Sequence, residues 1–323
     1  MTVTSSERTS FEAAVLSGEG WEDVATTVAK IREGDGDAAR AVAAVAFHVA
    51  AVAPERLVDV YDAFCEGWLG RRPSAPEVSS DGSEAGNLPP QIFSSLWEMV
   101  DDNELGKDPT DITVRTAALA GLLPPELHRR VGAMAVAYPG VPEAVALGLP
   151  EKFQLADLER CPQDSLGGML HSLVVNDGFD LEVLDRDNLG LRMLPSPLDY
   201  LNIRILQCHD VWHTVAGYET TGLHEIAISG FQMGQFGHHY SSTFLALVLT
   251  KPAFTQNTNV VGFMLDTILS AYIHGRETPP MLGVVWEEIW NQPLDNVRSI
   301  TGIDAYTSPY EPALLETMRS GAA

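Results

Sequence analysis

The chain predicts an all-α fold, a multi-helix bundle, and three observations carry that reading. Apolar residues recur at helical spacing through most segments. Strictly alternating patterns, the mark of half-buried strands, are scarce. Glycine and proline stand between the periodic segments, where helices stop and start.

In chain order, residues 10–72 predict helices over Phe11 to Leu16, Trp21 to Arg32 and Ala38 to Val52, with Gly34-Asp35-Gly36 breaking the second from the third. The longest apolar run, Ala41 to Pro54, is fourteen residues, too short to span a bilayer, and reads as a buried Ala/Val-rich helix. Pro54 opens another helix to about Leu69, proline being tolerated in a first turn. Arg71 to Pro90 is rich in Ser, Gly, Pro and acid, a flexible loop. Helices follow over Gln91 to Met99, Asp111 to Ala120 and Pro124 to about Tyr138, with Pro139, Pro142 and Pro150 punctuating the route onward.

Ser165 or Asp164 suits the N-cap of a helix over Met169 to Val174. Leu181 to Pro197 is a polar connection with room for a short strand near 181–194. Tyr200 to Cys208 has helical spacing and runs into His209; a second helix is expected from Leu223 to about Val248. Further helices are expected over Gly262 to Arg276 and Pro280 to Trp290, and Pro293 to Arg298 closes the chain's last block. The expected organisation is an N-terminal helical region (1–72), a linker (73–90), a connecting helical region (91–149) and a metal-binding helical domain (150–323).

Composition narrows the function classes. The formal charge of −24, from 20 Lys and Arg against 44 Asp and Glu, opposes binding to nucleic acid and to anionic lipid. Cys65, Cys161 and Cys208 are far apart and form no paired framework, which indicates a reducing compartment; a cytoplasmic location is expected. The first residues lack a basic stretch followed by an apolar run, so no signal peptide is expected. Phosphate-binding glycine loops and a Gly-x-Ser-x-Gly elbow are absent.

The chemistry concentrates in His209-Asp210-x-x-His213, followed after eleven residues by Glu225. Histidines four apart sit on one helical face, so both rings can reach one ion. Asp210 lies about 100° round the helix from His209 and can reach the ion only from one edge. Glu225 needs a chain reversal. Gly217 and Gly222 with Thr220 and Thr221 suit a helix stop and an N-cap, which would place Glu225 in the first turn of the next helix, facing back. His209, Asp210, His213 and Glu225 are therefore the candidate metal ligands. The ordinary alternative is that the histidines are packing residues and the acids solvated. His224 is expected beside the site or at the surface. His238 and His239 are expected about four turns further along the same helix, too far to ligate. Cys208 is expected to be a small core residue.

These residues resemble the coenzyme Q (ubiquinone) biosynthesis protein four family, whose hallmark is His-Asp-x-x-His-x11-Glu. Arg204, Gly217-Tyr218 and Glu225-Ile226-Ala227 match it in character, as do Pro162 to Gly167 upstream and Gly275-Arg276, Trp286-Glu287 and Pro293 to Arg298 downstream. The resemblance covers roughly residues 150–303; residues 1 to about 150 match nothing in that family. It implies a helical fold and a divalent metal on the four motif residues, zinc first, with iron, manganese or cobalt as alternatives. It also implies work on the ring of a polyprenylated hydroxybenzoate, which loses its carboxyl group and gains a hydroxyl at the same carbon. The expected function is a metal-dependent oxidative decarboxylase or lyase acting on an aromatic or quinone-precursor ring, with a soluble specialised metabolite as another substrate. The competing reading is a non-catalytic scaffold that binds a lipid or a biosynthetic complex around a structural metal. The expected partner is a small aromatic or prenylated substrate; peripheral membrane contact and a homodimer stay open, and no catalytic base is singled out.

Overall fold

The computed structural model describes residues 3–78, 88–107, 109–178, 181, 186–187, 189–255 and 258–321. Among these residues the fold is helical, as expected. The first group comprises α1 (Ser5–Ser17), α2 (Val24–Lys30), α3 (Gly36–Ala51) and α4 (Leu57–Leu69). It is followed by α5 (Pro90–Asp101), α6 (Pro109–Gly121), α7 (Pro125–Ala135), α8 (Val141–Ala146), α9 (Leu155–Leu158) and α10 (Leu166–Asp177). The last group is α11 (Leu198–Ala216), α12 (Gly222–Phe236), α13 (His239–Thr255), α14 (Thr258–Glu277), α15 (Leu294–Thr301) and α16 (Leu314–Gly321). The described residues contain one isolated antiparallel bridge, Ser165 with Pro293. No helix among them is long and apolar enough to cross a membrane.

Local chemistry accounts for several ends. Thr4 and Glu7 form a reciprocal capping box on α1, and Asp35 caps α3 through the Asp37 and Ala38 amides. Ser165 accepts from the Gly168 amide and starts α10. The expected linker over 73–90 and the short strand near 181–194 lie partly outside the described residues; the described part of the latter holds one 3-10 turn, Leu191–Met193.

Two expectations are corrected. The helix expected from Leu223 to Val248 is two helices, because Gly237 takes a left-handed φ of 63° and ends α12. A side chain there would also collide with Met134 and Tyr138. The helix expected over Pro280 to Trp290 is reduced to turns and one 3-10 turn, Trp286–Glu288. Buried Met281 and Trp286 tie that segment to the core without helical repetition.

α12 and α14 cross at very short range. Gly230, Gly234 and Gly275 leave no room for a Cβ: one on Gly275 would stand 2.2 Å from the Phe231 carbonyl oxygen, and one on Gly234 2.6 Å from that of Tyr272. Small residues at the contact let the two backbones touch. α3, buried on nearly every side, packs against α13, and α4 packs against α14. Phe11, Trp97 and Phe254 meet edge to face with centroids 5.2–5.5 Å apart, joining α1 and α5 to α13. The first hundred residues thus form the backing of α13 and α14, which in turn support α12 and the site.

Candidate metal centre

α11 ends where Gly217 adopts a left-handed φ of 77°, with its N–H donating to the His213 carbonyl. Thr221 then caps α12 by accepting from the His224 amide. These two caps build the reversal that brings Glu225 back over the last turns of α11. His213 Nε2 lies 3.4 Å from Glu225 Oε1, and His209 Nε2 lies 3.7 Å from Glu225 Oε2. The two imidazole rings have centroids 4.6 Å apart. Donors about 2 Å from one ion at tetrahedral corners stand about 3.3 Å apart, so the three groups have the spacing of a shared cation. One ligand atom from each of His209, His213 and Glu225 lies within 4.8 Å of the others.

Asp210 stands apart from those three. Its Oδ1 lies 3.3 Å from His209 Nδ1, the ring nitrogen on the side away from Glu225. Here the carboxylate accepts from the His209 ring and turns its Nε2 toward Glu225, in the manner of a carboxylate behind a metal-bound histidine. The angular offset between adjacent helical residues accounts for this placement.

His213 supplies the most telling detail. Its side chain is 2% exposed, and its Nδ1 lies 3.2 Å from the Tyr218 carbonyl oxygen. A carbonyl only accepts, so in the neutral ring the proton is on Nδ1 and Nε2 is bare. That bare nitrogen is buried with no hydrogen-bond partner. It faces a carboxylate oxygen, so two acceptors confront each other across a gap that suits a cation.

Electrostatics follow the same geometry. Burial would lower the His209 imidazole, but the hydrogen bond with Asp210 and the charges of Glu225 and Asp210 carry it above its ordinary 6.5. Burial would raise the Glu225 carboxyl, but the His213 imidazole 3.4 Å away, with His209 and His224 beside it, holds it below its ordinary 4.5. Without metal, the stabilisation through His209 is whole below pH 6.5 and fades as pH climbs through the higher folded value. The share from Glu225 is whole above pH 4.5 and fades as pH falls through the lower folded value. Both are present between pH 4.5 and 6.5. A cation needs the imidazoles unprotonated, so its contribution grows as pH rises. The Tm advantage of the wild-type chain over Glu225→Gln is therefore expected to shrink between about pH 6 and about pH 9 without metal, and to widen over the same range with zinc. A metal-free advantage that grows with pH would contradict this assignment.

The flanking residues divide clearly. His224 is buried beside Glu225; its Nδ1 accepts from the Glu219 amide at 2.7 Å. Cys208 is buried, as expected, and burial pushes its thiol up to about 12. His238 sits at the Gly237 break, its Nδ1 2.8 Å from Ser241 Oγ and 3.2 Å from Gln232 Oε1; burial pulls it down to about 3. A cavity of about 20 Å³ between α11 and this break is lined by Ile205, Asn202 and His238, one turn and more below His209. His239 donates to the Ala50 carbonyl and serves packing. Tyr218, whose ring is packed by His274 and Tyr306, carries no signal of this role in the sequence beyond the Gly217-Tyr218 match, because the group that meets His213 is its backbone carbonyl.

Comparison with known proteins points to one family. Residues 150–307 match the family described as Coenzyme Q (ubiquinone) biosynthesis protein Coq4. A ubiquinone biosynthesis protein COQ4 homolog, mitochondrial, of Drosophila ananassae is 28% identical over 149 residues, 45% of this chain and 53% of that protein. The Drosophila melanogaster counterpart is also 28% identical over 149 residues, 45% of this chain and 52% of its own length. The chain thus spans about half the length of these curated relatives. A crystal structure named for ubiquinone biosynthesis, from Nostoc punctiforme PCC 73102, aligns with TM-score 0.47 and 18% identity over 66% of this chain and 97% of that one. Both fly relatives are named mitochondrial, which overturns the cytoplasmic location expected above. The expectation rested on unpaired cysteines, which speak for reducing conditions and do not single out the cytoplasm.

Proposed function

Residues 150–307 of this chain belong to the coenzyme Q (ubiquinone) biosynthesis Coq4 family, and we propose that the chain is a metal-dependent enzyme acting on an aromatic or quinone-precursor ring. One observation carries the reading: the buried, partnerless Nε2 of His213 opposite Glu225. His209, His213 and Glu225 would hold a divalent ion, with zinc as the first candidate. The donor set fits, since two imidazoles and a carboxylate are common zinc donors and leave one tetrahedral position for a ligand oxygen or water. That open position favours an enzyme over a structural site, whose four donors come from the chain itself. When bound, the ion would act as a Lewis acid on an oxygen of the ring.

The side chains have separable tasks. Glu225 supplies the negative charge that retains the ion. Asp210 holds His209 with Nε2 forward; a shell of four protein donors would require its side chain to turn toward the ion. The substrate class follows the family: a hydroxylated benzoate ring whose carboxyl group would leave as carbon dioxide while a hydroxyl is added at the same carbon, a two-electron oxidation for which dioxygen would be the co-reactant and oxygen source. A second reading of the metal has its own support. Two histidines and one carboxylate with open positions are also the donor set of iron(II) enzymes that use oxygen, which suits a ring hydroxylation.

Calorimetric titration of the zinc-loaded protein with 4-hydroxybenzoate tests the proposal. Saturable binding that disappears after chelation is expected. Binding of equal strength with and without metal would rule it out.

A further inference from the structure

A series of directional hydrogen bonds leads from His213 away from the site and into the C-terminal segment. His213 Nδ1 donates to the Tyr218 carbonyl at 3.2 Å, and the Tyr218 amide donates back to the His213 carbonyl at 2.9 Å. The Tyr218 side chain is itself pinned. Its hydroxyl lies 2.8 Å from His274 Nδ1, and His274 Nε2 lies 3.0 Å from the Asp304 carbonyl oxygen. That carbonyl can only accept, so the neutral His274 ring carries its proton on Nε2, and its bare Nδ1 accepts from the Tyr218 hydroxyl. Tyr306 stacks on the Tyr218 ring with centroids 4.5 Å apart and planes 21° apart. The Tyr306 amide donates to the Ala216 carbonyl at 2.8 Å, while its hydroxyl meets Ser270 at 2.8 Å. Gly217 permits the approach: a Cβ there would stand 2.9 Å from that of Ala305. The side-chain protons point one way, from His213 to the Tyr218 carbonyl and from the Tyr218 hydroxyl through His274 to the Asp304 carbonyl, which leaves a lone pair on His213 Nε2 facing Glu225.

We propose that Tyr218 and His274, held by residues 304–306, are positioning residues that fix the tautomer and orientation of His213 and thereby set the metal affinity of the site. This rests on the metal reading above. A neutral imidazole can carry its proton on either nitrogen. Only the Nδ1–H form presents Nε2 to an ion, and groups behind a metal-bound histidine commonly govern affinity in this way. Tyr218→Phe keeps the ring and its stacking and removes only the hydroxyl. His274→Ala removes the acceptor.

The test is zinc affinity, measured by competition with a chromophoric chelator, together with the ¹⁵N imidazole spectrum of the metal-free protein at alkaline pH and the metal-free Tm of each variant. Tyr218→Phe and His274→Ala are each expected to weaken zinc binding about tenfold. The double variant should lose little more than either alone, because both act through one bond. His274→Gln, which keeps one donor and one acceptor, should recover most of the loss. The wild-type spectrum should show His213 as the Nδ1–H form, and the two weakening variants a mixture. Zinc affinities within about twofold of wild type in both variants, with metal-free Tm values lowered or unchanged, would overturn the inference. A wild-type chain that binds no zinc would instead sink the metal reading itself, so the two failures are distinct.

Discussion

His213→Ala is expected to strip the chain of its metal. The purified wild-type protein should carry about one equivalent of divalent ion, and the variant less than about 0.2, with affinity lowered at least about a hundredfold, beyond the loss typical of an outer supporting group. The physical reason is that two donors remain where three converged, and the carboxylate of Glu225 loses the nitrogen 3.4 Å away. Elemental analysis and zinc competition measure the change. His209→Ala, at the more exposed end of the pair, provides a second test and should show a comparable loss, since His209 Nε2 meets the other oxygen of the same carboxylate. Wild-type protein with no more metal than His213→Ala would end the proposal. So would a variant that keeps its full equivalent.

Gly275→Ala is expected to damage the fold more than any change at the site. The new methyl would stand 2.2 Å from the Phe231 carbonyl oxygen, and neither atom can rotate away because both belong to helix backbone or lie directly on it. α12 and α14 would have to separate along a contact that Gly230 and Gly234 keep close. Overpacking of this kind costs about 3 kcal/mol or more. Because α12 carries Glu225 at its start, the displacement should also weaken zinc binding in whatever folded protein remains. Gly121→Ala is the control: it lies at the end of α6, and nothing comes within 4 Å of its added Cβ. There the change should be neutral or stabilising by up to about 1 kcal/mol. Thermal unfolding of the two variants distinguishes the cases. Equal Tm values would show that the crossing yields more easily than its geometry implies.

These two glycines mark where sequence reasoning ended. Gly275 sits within a helical pattern and Gly121 one residue past one, and neither pattern tells which of them meets a facing backbone. Gly230 and Gly234, four residues apart, were the available signal for a close crossing, but only a partner helix gives that spacing its meaning. The Gly237 break was similarly ambiguous. Apolar periodicity continues on both sides of it, so one long helix was expected, whereas crowding by Met134 and Tyr138 coincides with a left-handed turn.

Read alone, the chain determined what depends on near neighbours: a helical class, a cap at Ser165 or Asp164, a stop and a threonine cap between Gly217 and Gly222, and the reversal that returns Glu225 to two histidines one turn apart. Capping and side-chain periodicity act over a few residues, so they are written in contiguous sequence. The tertiary structure decided which groups stand behind the site. It set Asp210 against the rear nitrogen of His209, placed the Tyr218 carbonyl on His213, and brought in His274 and residues 304–306 from far along the chain. It also made α1 to α5 the support of α13 and α14. Such choices depend on hydrogen-bond direction and van der Waals exclusion between segments distant in sequence, and those are settled only when the helices pack.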